Sequence, residues 1–226
     1  MFKIGVVAGT PVDVEFGIKF LRNKGYLSKA IPISNNPVEQ TIFQTLTTNK
    51  REKELIHILE NSEDCDLFLF YCNSLSSTVN IEKISRIIGK EIITPLGAYK
   101  EVKTLNNVGI ISANAQSLSM IESIIYQSMP CKTICMSNLL IVEAIEKNDN
   151  PDQIINQYGI DIYIELCNRN NVDRLILGCT HFDYLEDSIQ KVISDKGYNI
   201  EILTPKKYMY LKLEQIIGNL ERVYKW

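Results

Sequence analysis

The sequence predicts an α/β fold built twice: two similar subdomains, each with a parallel four-stranded sheet. Three observations carry this expectation. Short apolar, often β-branched runs alternate with longer amphipathic stretches. The same series of runs occurs twice in the same order. In both copies a cysteine stands at the carboxyl end of the third run.

The strand-like runs are Lys3–Ala8, Ala30–Ile33, Leu67–Tyr71 and Glu91–Thr94, then Val108–Ser112, Thr133–Met136, Arg174–Leu177 and Ile200–Leu203. Between them Ile81, Ile84, Ile87 and Ile88 show helical spacing, as do Leu185, Ile189, Val192 and Ile193. Strand and helix in this rhythm imply parallel sheets covered on both faces.

The repeat is legible residue by residue. KIGVVAGT (3–10) matches NVGIISAN (107–114), with Gly5 over Gly109 and Thr10 over Asn114. KAIPISN (29–35) matches KTICMSN (132–138), and DLFLFYCNS (66–74) matches DRLILGCTH (173–181). EIITP (91–95) matches EILTP (201–205). The offsets are 104, 103, 107 and 110. One match between apolar strands is chance; four in order indicate two copies of one βα set. The expected division is 1–96 plus 206–226 for the first subdomain and 97–205 for the second. Related halves of this kind pack about a pseudo-twofold axis, with the active site in the cleft between them.

The bulk numbers agree with a large core. The chain has 226 residues, 45% of them hydrophobic, and a net charge of −3 with a pI near 5.5. No basic face appears, so nucleic acid is not an expected partner. The opening MFKIGVVAG is too short for a signal core or a membrane span, so the expected location is cytoplasmic, with no membrane association. There the six cysteines stay reduced. No CxxC occurs, and Cys167, Cys179 and His181 fit no common zinc spacing, so no metal is expected. Gly5 and Gly9 do not make GxGxxG, so a dinucleotide has no support.

In the repeat, Cys72 lies over Cys179. A thiolate is a base as well as a nucleophile, and its pKa of about 8.5 falls near cations and helix N-termini. Cap-type residues follow both: Asn73, Ser74, Ser76 and Ser77 after Cys72, and Thr180 and His181 after Cys179. Two thiols on opposite faces of a carbon acid can remove a proton from one side and return one from the other. The carbon is inverted, and neither step needs a cofactor if the pocket stabilises the carbanion.

Each residue also has a plainer reading. Cysteines at strand ends are commonly small hydrophobes, the expected role of Cys65, Cys131, Cys135 and Cys167. Cys131 and Cys135 share one side of a strand, as packing residues do. Asn73, Ser74 and Thr180 can be helix caps and bind substrate with the same geometry. Thr10 and Asn114 can simply end strands, and His57 in KELIHILE reads as a helix residue without chemistry.

CNSLSS after one strand and GCTHF after another resemble the aspartate/glutamate racemase superfamily, the pyridoxal-independent two-cysteine racemases. The opening GVVAGTPVD and the two-copy layout are similar too, so the resemblance covers nearly the whole chain. It implies an amino-acid racemase without cofactor, with Cys72 and Cys179 as catalytic bases. It implies that Thr10, Asn73, Ser74, Asn114, Thr180 and His181 serve the substrate, an amino acid or dicarboxylate resembling aspartate or glutamate. It implies a homodimer as well. Glutamate racemases carry an acidic residue near the second cysteine in a Val-Glu context, which Val142-Glu143 matches. Its helical setting reads as surface.

Three departures point away from the housekeeping glutamate racemases and toward the aspartate-racemase-like branch. Gly9-Thr10-Pro11 replaces Asp-Ser-Gly, Ser34-Asn35-Asn36 lies where Pro-Tyr-Gly is expected, and Asp183 replaces the proline after GCTHF. Other readings stay open: a related isomerase or decarboxylase (maleate isomerase-like or hydantoin racemase-like), or a non-catalytic sensor using the same cleft. A Cys179–His181 hydrolase fits poorly, because residues two apart on a turn rarely form a nucleophile–base pair.

Overall fold

The computed structural model describes residues 2–104 and 106–224. Its elements run β1 (Lys3–Ala8), α1 (Pro11–Arg22), β2 (Leu27–Pro32), α2 (Pro37–Thr45), α3 (Thr48–Glu60), β3 (Leu67–Phe70), α4 (Asn73–Ser77), α5 (Ile81–Ile88), β4 (Ile92–Ile93) and α6 (Leu96–Tyr99). The second series is β5 (Asn107–Ser112), α7 (Ala115–Ser128), β6 (Thr133–Ser137), α8 (Leu139–Glu146), α9 (Pro151–Gln157), α10 (Ile160–Arg169) and β7 (Val172–Leu177). A 3-10 helix (Thr180–Leu185), α11 (Glu186–Asp195), β8 (Glu201–Leu203) and α12 (Lys206–Tyr224) complete it. None of the described helices is long and apolar enough to cross a membrane.

Contacts divide the chain into two compact units, one reaching Gly97 and resuming at Lys206, the other Ala98–Pro205. Gly97 goes with the first unit rather than the second. The hydroxyl of Tyr208, on α12, lies 2.2 Å from where a Cβ on Gly97 would sit.

Both sheets are wholly parallel and share one topology. The strand order is β2-β1-β3-β4 in the first unit and β6-β5-β7-β8 in the second. Leu67–Phe70 are buried without exception, as a strand covered on both faces requires. Helix starts are written into the sequence: Thr10, Asn36, Asn114 and Asn138 each accept a backbone N–H with their side chains, and Pro11 and Pro37 sit in first turns. Gly89 ends α5 at φ 66°, where a left-handed residue closes the helix. Ile84 of that helix is buried, but Ile87 is half exposed, so the apolar stripe is narrower than its spacing predicts.

The strand ladders test the repeat. Gly5 pairs with Phe68 and Gly109 with Leu175, which reproduces the 107-residue offset of the third match. Phe68 pairs with Ile92 and Leu175 with Ile202, the 110-residue offset of the fourth. The second match is two residues out of register. Gly5 pairs with Lys29 but Gly109 with Ile134, an offset of 105. The shared Asn therefore has different jobs: Asn138 follows β6 at once and caps α8, whereas its counterpart Asn35 donates to Glu39 and leaves the capping of α2 to Asn36.

At the amino end of the first sheet, Asp64 ties two strands together. It accepts from Lys3 and, at 2.7 Å, from Lys29. Those lysine hydrogen bonds hold its carboxyl well below the usual carboxylate range. A depressed folded-state pKa contributes stability above the ordinary carboxylate value, and that stability is lost as pH falls through the folded value. Asp64→Asn should therefore be slightly less stable than the parent at pH 6, the effect of an exposed pair being small. The gap between the two urea midpoints should begin to narrow below about pH 4 and close progressively as pH falls further. A difference that persists in acid would assign the effect to something other than this charge.

Candidate active site

In the first unit the candidate residues gather at the carboxyl end of the sheet. Thr10 follows β1 and Cys72 follows β3, two strands that are neighbours. The backbone stays paired up to the cysteine: Tyr71 N–H donates to Val7 O at 2.8 Å. Cys72 is the N-cap of α4, and its Sγ accepts the Leu75 N–H at 3.5 Å. Ser76 Oγ donates to the Cys72 carbonyl at 2.7 Å. Cys72, Asn73 and Ser74 are all buried. Thr10 caps α1 by accepting the Asp13 N–H at 3.3 Å, and both are buried.

The second unit repeats this construction. Gly178 N–H donates to Ile111 O at 2.8 Å, which is the Tyr71–Val7 bond displaced by the repeat. Cys179 follows as Cys72 does, and begins the 3-10 helix Thr180–Leu185. Asn114 caps α7, accepting the Ser117 N–H at 2.9 Å, as Thr10 caps α1. Thr180 and His181 are buried beside Cys179.

The surroundings of the two sulfurs differ. His181 Nδ1 lies 3.8 Å from Cys179 Sγ, and His181 Nε2 lies 3.0 Å from Glu146 Oε1. The imidazole thus has a sulfur on one nitrogen and a carboxylate on the other. Such a carboxylate fixes the ring's orientation and steadies its charged form. Cys72 instead has an amide beside it: Gln40 Nε2 is 3.7 Å from its Sγ.

Sequence reasoning did not name three of these residues. Glu146, not Glu143, is the acidic partner in α8: it sits at that helix's last turn and reaches His181. Asp13 is a fully buried carboxyl side chain whose signal was present, since Thr10-Pro11-Val12-Asp13 has the spacing of a capping box. Gln40 left no signal, because nothing in a sequence shows which turn of a helix overlies a strand end.

The remaining cysteines divide. Cys65 and Cys167 are buried, and burial pushes the Cys167 thiol up to about 11, so it is inert packing. Cys131 is half-buried and Cys135 exposed, with Cys135 Sγ 3.8 Å from Glu122 Oε1. Cys135 is thus less buried than a packing role predicts: β6 is the outer strand of its sheet, which leaves the residue exposed although its thiol lies beside Glu122 of α7.

No protein-family model matches the chain. Curated relatives do. A glutamate racemase from Hydrogenobaculum sp. (strain Y04AAS1) is 30% identical over 145 residues, 61% of this chain and 54% of that protein. One from Clostridium kluyveri is 28% identical over 204 residues, 83% of this chain and 73% of that protein. The chain thus spans about half the length of the first relative and nearly three quarters of the second. Among solved structures, glutamate racemase from Francisella tularensis has a TM-score of 0.72 at 18% identity, covering 97% of this chain and 82% of that one. Picrophilus torridus aspartate racemase has a TM-score of 0.60 at 17% identity, covering 96% and 95%.

In sequence the chain is similar to glutamate racemases, in fold to glutamate and aspartate racemases, and it carries a cysteine at the same strand end of each repeated unit. Both sequence relatives named above are glutamate racemases; the aspartate racemase is a likeness of fold.

Proposed function

We propose that the protein is a cofactor-independent amino-acid racemase in which Cys72 and Cys179 act on opposite faces of one α-carbon. The observation that carries this reading is the equivalence of the two cysteines. Each follows the third strand of a like sheet, immediately after a backbone bond that the repeat reproduces. A structural cysteine has no reason to recur there with polar, buried followers in both copies.

In one direction the Cys72 thiolate takes the α-proton and becomes the thiol. The electron pair left on carbon is delocalised into the adjoining carboxylate. The Cys179 thiol then delivers its proton to the opposite face and becomes the thiolate. The reverse reaction exchanges the roles. The Leu75 N–H donates to Cys72 Sγ, and His181, held by Glu146, faces Cys179. Thr10, Asn73, Ser74, Asn114 and Thr180 supply polar groups for the substrate's amino and carboxylate ends. The substrate class is an acidic amino acid, aspartate or glutamate.

The test is incubation of purified protein with single enantiomers of glutamate, aspartate and a panel of neutral amino acids and dicarboxylates, read by chiral chromatography. Racemisation of one acidic amino acid is the expected result. Thermal stabilisation by a ligand with no turnover on any compound would make the protein a sensor and sink the reading.

A further inference from the structure

We propose that Gln40 is a positioning residue for the Cys72 thiolate, and that Gly9 is the position that admits it. The inference deepens the racemase reading and rests on it for its role in turnover. Two independent features carry it. The first is contact: Gln40, on α2, places Nε2 3.7 Å from Cys72 Sγ. The second is space. A Cβ on Gly9 would lie 1.9 Å from Gln40 Nε2 and 2.3 Å from its Cδ. The amide therefore occupies the room that a side chain at position 9 would fill.

The second unit supports the assignment. There the helix after the second strand, α8, sends Glu146 to His181, and His181 faces Cys179. In the first unit the helix after the second strand, α2, sends Gln40 to Cys72. The same element of each unit serves the same sulfur position, but with different chemistry. A carboxylate and imidazole titrate; a primary amide does not. Gln40 offers an N–H to a sulfur anion at every pH and carries no proton that it can lose. A donor of this kind favours the thiolate over the thiol.

Other charged groups stand in this region. Asp13 lies on α1, one turn before Gly17, whose helix packs on Tyr71. Arg51 of α3 is held by the Thr78 and Leu46 carbonyls. Both are unchanged in the variants below, so their influence cancels in the comparison.

The experiment uses the full chain without substrate. Iodoacetamide labelling rates are measured against pH, and the Cys72 and Cys179 peptides are followed separately by mass spectrometry. Gln40→Leu should move the Cys72 midpoint up by about one pH unit, and Gln40→Glu by at least as much. The Cys179 midpoint should stay where it was. Gly9→Ala should shift Cys72 in the same direction, because the new Cβ displaces the amide. Gly9→Ala combined with Gln40→Leu should shift it no further than either alone, since both remove one interaction. An unchanged Cys72 midpoint in Gln40→Leu, or shifts that add in the double variant, overturns the proposal. Should Gly9→Ala fail to fold, the two Gln40 variants decide the matter. The readout needs no turnover. A shifted midpoint in a protein without racemase activity would sink the proposed function and leave this assignment standing.

Discussion

Cys72→Ala and Cys179→Ala are each expected to lower racemisation by roughly 10²–10⁴-fold, the usual contribution of a positioned acid or base, while leaving a one-sided reaction behind. With Cys72 gone, the Cys179 thiolate still removes the α-proton of one enantiomer. No acid waits on the other face. A solvent deuteron returns to the face it left, and exchange proceeds without inversion. With Cys179 gone, the same happens to the other enantiomer. The α-proton signal of each pure enantiomer in deuterium oxide, followed by NMR, measures this directly. Each variant should wash out the signal of one enantiomer, and the two variants should choose opposite ones. Racemisation at the parent rate in both, or exchange of the same enantiomer by both, would remove the two-base mechanism. Stability should change little. The sulfur of Cys72 accepts weakly from Leu75 N–H and from Gln40 Nε2, and the first is a capping bond worth about 1 kcal/mol in ordinary caps.

Gly5→Ala is expected to destabilise the first unit by about 1–3 kcal/mol, the range for overpacking a core. Two effects oppose each other here. Alanine in a strand is ordinarily better than glycine by about 0.5–1 kcal/mol, because glycine loses more backbone freedom. Against this, a Cβ on Gly5 would lie 2.5 Å from Phe68 Cδ1 and 2.9 Å from Ile31 Cδ1. Phe68 is fully buried, and its ring has nowhere to go, so packing wins. Gly109, the equivalent residue, is less tight. Its Cβ would meet Cys167 Sγ at 3.0 Å and Leu175 Cδ1 at 3.1 Å, and Leu175 can turn slightly. Gly109→Ala should therefore fall within about 1 kcal/mol of the parent, the strand gain offsetting a smaller clash. Urea midpoints of the two variants measure the contrast. A Gly5→Ala protein as stable as Gly109→Ala would mean that the ring does not fill the space beneath Gly5.

The central strands β1, β3, β5 and β7 were legible because parallel strands buried on both faces leave continuous apolar runs, whereas the largely exposed outer strand β2 begins at Leu27, three residues before the apolar run Ala30–Ile33. The cysteine pair was legible because the repeat aligned Cys72 with Cys179, and the ladders reproduce that alignment. What stayed hidden depended on loop length and helix phase. KAIPISN and KTICMSN look aligned, yet the ladders put them two residues apart, because the segment between strand and cap is longer in the first unit. Glu143 and Glu146 are three apart on one helix, and only its packing selects Glu146. Gln40 reaches Cys72 across 32 residues of chain through a gap left by a glycine, and an empty space carries no letter.

The course of the chain through the two units has a consequence for biosynthesis. The second unit is one continuous segment, whereas the first opens at Gly97 and closes only from Lys206 onward. Met209 and Leu213 of α12 are fully buried in the first unit's core. As the chain leaves the ribosome, the first unit must wait with that core uncovered until the second has been completely made. The unit that begins later is thus the first able to fold in full. The apolar sheet bearing Cys72 is the surface that needs protection meanwhile.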